Sequence, residues 1–159
     1  MTVQTTPKVN VQVHRERYTQ LRILNRAFGG GDDTPLASVI RNVFAYAAKQ
    51  GLVANELPGV RINALSDGIA IAFDKAAPTG FSPEGGRALA ETIHAYVAGT
   101  NTEKRIVNMN HGFSVFRIGG AIAICIGDIF KPVRTWPADL AEDFAALIEG
   151  ALDSVATDK

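Results

Sequence analysis

The six residues Ala121-Ile122-Ala123-Ile124-Cys125-Ile126 form an apolar run with no polar residue at alternate positions. A strand with one wet face alternates apolar and polar side chains; one that does not must have both faces covered. The run therefore predicts a strand in the middle of a sheet, with helices on either side. It is the longest apolar run in the chain and falls far short of the ~20 residues that cross a bilayer.

The other elements arrange themselves around that strand. Thr34-Pro35 reads as an N-cap followed by proline at the first helical position, and Leu36, Val39, Ile40, Val43, Phe44 and Ala47 repeat at helical spacing as far as Gly51. Val60, Ile62 and Ala64, then Ser66-Asp67-Gly68, then Ile69, Ile71 and Phe73 predict a hairpin whose turn uses glycine for a positive φ. Ser82-Pro83-Glu84 opens a second helix with Leu89, Ala90, Ile93, Tyr96 and Val97 on its apolar face. Gly85 and Gly86 lie on that same face, where another backbone can approach closely. Three short strands follow at about 105–109, 113–118 and 121–126, separated by Asn110-His111-Gly112 and Gly119-Gly120. A last helix starts near Pro137 and carries Leu140, Phe144, Leu147, Ile148, Leu152 and Val155 along one face. The expected fold class is α+β: a mixed or antiparallel five-stranded sheet with helices on both faces, in the order helix-strand-strand-helix-strand-strand-strand-helix.

Ahead of this core, Val9, Val11 and Val13 alternate as in a half-buried strand. Tyr18, Leu21, Leu24 and Phe28 then fit a helix, although Thr19, Leu21 and Ile23 fit a hairpin with the valines. Gly29-Gly30-Gly31-Asp32-Asp33 reads as a flexible linker, which makes residues 1–33 a basic arm or appendage and 34–159 a single domain. A phosphate cradle at these glycines is disfavoured, because no lysine follows and two aspartates would repel the anion.

The 159 residues balance 16 basic against 16 acidic side chains, so the overall charge favours neither nucleic acid nor an anionic membrane. The distribution is polar. Residues 1–28 hold Lys8, Arg15, Arg17, Arg22 and Arg26 against Glu16, whereas 137–159 hold Asp139, Glu142, Asp143, Glu149, Asp153 and Asp158 against Lys159. Ends of opposite sign can pair within one chain or head to tail between copies. The single cysteine, Cys125, and the lack of a signal-like apolar stretch at the N-terminus point to the cytoplasm.

No catalytic, cofactor or metal site is expected. His14, His94 and His111 have no second histidine or cysteine three or four residues away, so a zinc site is not indicated. Cys125 with His94 or His111 is the one nucleophile pair the composition permits, but an apolar central strand is the wrong setting for a reactive thiol. Phe113 and Phe116 are three apart and point to opposite faces, so they form no stacking platform for RNA bases. Asp128 and Lys131 after the central strand read as a loop ion pair.

In element order over about residues 35–155, and in the Asp67-Gly68 hairpin turn, the chain resembles the roadblock family of small dimeric adaptor and regulatory proteins. The resemblance implies a homodimer in which helix 83–98 and edge strand 105–109 pair across a two-fold axis, with Gly85, Gly86, Leu89, Ile93, Tyr96, Val97 and Ile106 at the interface. Arg15, Arg22 and Arg26 supply a second, electrostatic contact surface. The expected function is that of a non-catalytic adaptor or assembly protein whose partner is itself or another protein, with no nucleic acid, membrane or small-molecule substrate. A structural subunit of a larger particle, such as a phage or shell component using the arm 1–33 on its neighbours, is the alternative. An enzyme with a site built from loops is a further one.

Overall fold

The computed structural model describes Asn10 and residues 12–157. Their contacts divide at Asn55/Glu56 into a helical unit and a sheet-and-helix unit. Val9 and Val11 of the expected first strand lie outside the described residues, and Gln12–His14 have no regular secondary structure.

The helical unit is a hairpin of α1 (Arg15–Ala27) and α2 (Leu36–Lys49). The helical reading of residues 18–28 is the one the chain adopts. α2 starts one residue later than expected, with Pro35 as its N-cap and the Thr34 hydroxyl donating to Gly31 O at 2.8 Å. The glycine loop between the helices is a built turn, not a flexible linker. Buried Asn25 donates to Gly31 O at 3.0 Å, and Gly30 N–H donates to Asn25 O at 2.9 Å. A Cβ at Gly30 would lie 2.3 Å from Asn25 Oδ1, so glycine is required there by close approach. Phe28 stacks on Tyr46 at 5.0 Å, so α1 is tied to α2 and groups with it.

The second unit contains two antiparallel sheets, not one of five strands. The first is β1 (Val60–Leu65), β2 (Gly68–Phe73) and β3 (Thr79–Phe81), in that order. The second is β4 (Arg105–Asn108), β5 (Phe113–Ile118), β6 (Ala121–Ile126) and β7 (Arg134–Pro137), also in chain order. β3 and β7 occupy stretches that the sequence presents as connections. Between the sheets in sequence lies α3 (Pro83–Val97), and α4 (Ala138–Thr157) closes the chain. α3 is capped by Ser82, whose hydroxyl accepts from Gly85 N–H at 3.1 Å, with Pro83 in the first turn.

One core serves both sheets. Val60, Ile69, Ile71, Phe73 and Phe81 from the first sheet meet Phe113, Val115, Ile122, Ile124, Ile126 and Trp136 from the second. Leu89, Ile93 and Tyr96 of α3 and Phe144, Ile148 and Leu152 of α4 complete it. The register places each sheet's contribution on a single face, so both long helices cover the same side. Within this unit, the described helices therefore cover one face and not both. β6 is an interior strand buried on both faces, as its composition requires, but its second cover is the segment 127–133. Ser114, paired with Cys125 across β5 and β6, donates its hydroxyl proton to Ile129 O at 2.6 Å, and Val133 N–H donates to Ile124 O at 2.8 Å.

With both residues fully buried, Ile124→Ala is expected to cost about 2–5 kcal/mol in urea unfolding. Native Cys125 should resist a thiol reagent until the protein unfolds. Labelling of the native thiol within seconds would contradict the cover over that face. Among the described residues no helix is long and apolar enough to cross a membrane.

Candidate interaction surfaces

The α3 face expected at a dimer interface is occupied by the chain's own core. A Cβ at Gly86 would touch Leu152 at 3.1 Å and Ile69 at 3.2 Å, and one at Gly85 would lie 2.8 Å from the His111 ring. Leu89, Ile93 and Tyr96 are fully buried, and Val97 and Ile106 pack half-buried against the same core. The glycines do permit close approach, but what approaches is α4, β2 and a turn of the same chain. Tyr96 is anchored at its far end, its hydroxyl donating to Glu103 O at 3.0 Å. Burial is the main cause that raises its pKa.

On α1, Arg15 is exposed. Arg22 lies over the Tyr18 ring at 4.9 Å and bonds its hydroxyl oxygen and Thr34 O. Arg26 pairs with Asp32 at 2.6 Å. Of these three arginines, Arg22 and Arg26 thus help to close the hairpin turn. Several of the unit's apolar side chains are left in solvent. Ile40, Phe44 and Tyr46 of α2 are 52%, 45% and 49% exposed, and Tyr18, Ile23 and Leu24 of α1 and Leu52 and Val53 beyond α2 are exposed as well.

Between α3 and α4, His94 bridges two carboxylates. Its Nδ1 lies 2.9 Å from Glu142 Oε2 and its Nε2 lies 3.2 Å from Glu149 Oε1, so both bonds form together only when the ring is doubly protonated and donates twice. Burial depresses the imidazolium, but the hydrogen bond and charge of Glu142 and the charge and hydrogen bond of Glu149 outweigh it. The pKa therefore stands above the ordinary 6.5. A raised folded value contributes stability that is complete below the unfolded value and is lost as pH climbs through the folded one. The fold is expected to lose stability as pH rises past the ordinary histidine value of about 6.5, and His94→Gln should flatten that dependence. Parallel melting curves of the two proteins below and above that value test it, since an equal slope would mean the bridge does not form.

His111 sits in the turn after β4 with its backbone N–H donating to Asn108 Oδ1 at 3.1 Å. The ring lies against α3, the helix that carries His94, whereas Cys125 is on the other face of the sheet. The sheet thus separates the thiol from both imidazoles. Among the described residues Asp128 forms no ion pair with Lys131, whose backbone N–H donates to Asp128 O at 3.3 Å; Asp128 Oδ1 accepts from Phe130 N–H at 2.9 Å and shapes the segment over β6. His14 contacts the Glu16 carboxylate at the start of α1.

That outer face carries a group with no conspicuous signal in the sequence. The Arg105 guanidinium lies between the Phe116 ring at 4.5 Å and the Phe130 ring at 5.7 Å. Its Nη2 donates to Ser114 Oγ at 3.0 Å and to Ile129 O, and stands 3.9 Å from Cys125 Sγ. By contrast Arg134, over the Phe73 ring at 5.1 Å, has a carboxylate partner in Asp74 at 2.6 Å. A comparison with protein-family models, curated proteins and solved structures finds no match.

Proposed function

We propose that this chain is a non-catalytic adaptor or assembly protein that acts through protein–protein contacts and works as a homodimer. The observation that carries this reading is the apolar surface of the α1–α2 hairpin. Two helices of 13 and 14 residues are marginal alone in water and depend on covering their apolar faces. This pair keeps Ile40 and Phe44, one turn apart on the same side of α2, in solvent, on a unit whose own interior holds Val39 and Asn25. Clustered exposed apolar side chains mark a contact surface, and two hairpins joined face to face make a four-helix bundle with that surface inside.

The roadblock-like expectation also supposes a homodimer, formed on helix 83–98 and strand 105–109. The helical hairpin is the better supported surface, because the apolar side chains of α3 already lie in the core.

Light scattering should give the full-length protein a mass of about twice the 17.0 kDa chain. Phe44→Glu and Ile40→Glu should each return it to one chain with the circular dichroism of the parent, since both side chains are at the surface. A wild-type protein that runs as a single chain at micromolar concentration overturns the dimer. A mass unchanged in both variants overturns this surface.

A further inference from the structure

We infer that the outer face and free edge of the four-stranded sheet at Arg105 form a docking site for an extended, acidic segment of a partner protein. Among the described residues β4 is an outer strand paired only with β5. Its side chains alternate, so Arg105 and Val107 stand on the outer face with Ser114, Phe116 and Ile118 of β5, while Ile106 turns to the core. The segment 127–133 covers Ser114 and Cys125 and ends its cover beside Arg105, where Phe130 stands 75% exposed.

The state of the guanidinium points to the ligand. Arg105 is half-buried, held between two aromatic rings and bonded only to a hydroxyl and a carbonyl besides its contact with sulfur. Among the described residues no carboxylate pairs with it, and its Nε is buried without a hydrogen-bond partner. A cation half removed from water on apolar ground, without a carboxylate partner, is stabilised most by a carboxylate brought from outside. A planar guanidinium whose faces are already stacked is preorganised for that contact.

The surroundings give the rest of the ligand. Val107 is 43% exposed, Met109 just past the end of β4 is exposed, and Ile118 of β5 is exposed at the other end of this face, beyond Arg105. A strand added along β4 places the side chain opposite Arg105 and the one opposite Val107, two residues along, on this same outer face. The site therefore reads a carboxylate, then any residue, then an apolar side chain. A second copy of β4 is a poor occupant, because Lys104-Arg105 would bring like charge to like charge. The start of the edge is already closed by the Tyr96 hydroxyl on Glu103 O, so the added strand runs along 105–109.

The test is fluorescence anisotropy of two labelled nonapeptides with the full-length protein at low salt. One is Thr-Glu-Thr-Val-Thr-Glu-Thr-Val-Thr and the other has lysine at both glutamates. The acidic peptide should bind saturably and at least about tenfold more tightly than the basic one, and about 0.5 M salt should weaken it. Arg105→Gln should reduce its affinity about tenfold, as should Phe130→Ala and Val107→Asp, whose side chains are exposed and whose folding is not at risk. Phe44→Glu should leave binding unchanged, which separates this site from the hairpin surface. Equal affinity for the two peptides, or no saturable binding up to about 1 mM, overturns the proposal. Self-association lost in Val107→Asp and kept in Phe44→Glu also overturns it, because the occupant is then a second copy.

Discussion

Replacing Phe144 with alanine is expected to lower the stability of the sheet-and-helix unit by about 3–5 kcal/mol, the upper range for a fully buried aromatic side chain. Phe144 is where the two sheets meet the last helix. Its ring lies 5.7 Å from Phe73 of β2 and 5.4 Å from Trp136 of β7, edge-on to the latter, and Phe73 and Trp136 are themselves 6.2 Å apart. The three rings are the place where both sheets and α4 touch together, so a cavity here loosens all of them. Relaxation is hindered because Phe144 is fully buried and none of it reaches water. Trp136 is the single tryptophan and is almost fully buried, so its emission reports the transition directly. Urea titration should show Phe144→Ala unfolding well below the parent, with Phe144→Leu between them. A midpoint shift worth less than about 1 kcal/mol would mean that the rings do not form a tight junction.

The long elements were legible because each carries its own periodicity. α2, α3 and α4, the β1–β2 hairpin and the non-alternating β6 all follow from spacing along a single segment. β3 and β7 were hidden by length and composition. Thr79-Gly80-Phe81 and Arg134-Thr135-Trp136-Pro137 are too short to show period 2, and their glycine and proline read as breakers. Without those two strands, five visible ones look like one sheet. The division into two sheets is a matter of non-local pairing that no local pattern encodes.

The surfaces were less legible still, for related reasons. An apolar helix face with Gly85 and Gly86 looks the same whether it meets a partner or its own core, since burial depends on what lies opposite. His94 finds Glu142 and Glu149 at separations of 48 and 55 residues. Asn25 looks like one polar position on an amphipathic helix, yet it is buried and holds the glycine turn. Arg105 is one arginine at the head of a short strand. Its position becomes informative only once Phe116 and Phe130 are seen on either side of it. The missing carboxylate is a property of the folded neighbourhood.

Gly68 shows how a right residue can be required for a different reason than its motif suggests. The Asp67-Gly68 turn reads as a glycine supplying a positive φ, and φ is +158°, close to extended backbone. The stronger demand is space. A Cβ at Gly68 would lie 2.0 Å from Phe81 O, 3.0 Å from Phe81 C and 3.2 Å from Ser82 Cα, all of them backbone atoms that no rotamer change can move. Relief requires β3 to part from β2, which disturbs Ile69 opposite Phe81, the burial of Phe81 in the core and the Ser82 cap of α3. Gly68→Ala is therefore expected to cost about 3 kcal/mol or more, at or above the usual range for overpacking. Two neighbours serve as controls. Gly85→Ala meets the His111 ring, a half-buried side chain that can swing aside, and should cost less. Gly80→Ala has open space around its Cβ and should be nearly neutral, although it lies in the same strand as Phe81. Urea midpoints followed by Trp136 emission should rank the three in that order. If Gly68→Ala proves as stable as Gly80→Ala, β3 does not lie against β2 in this register, and the route by which the first sheet leads into α3 is wrong.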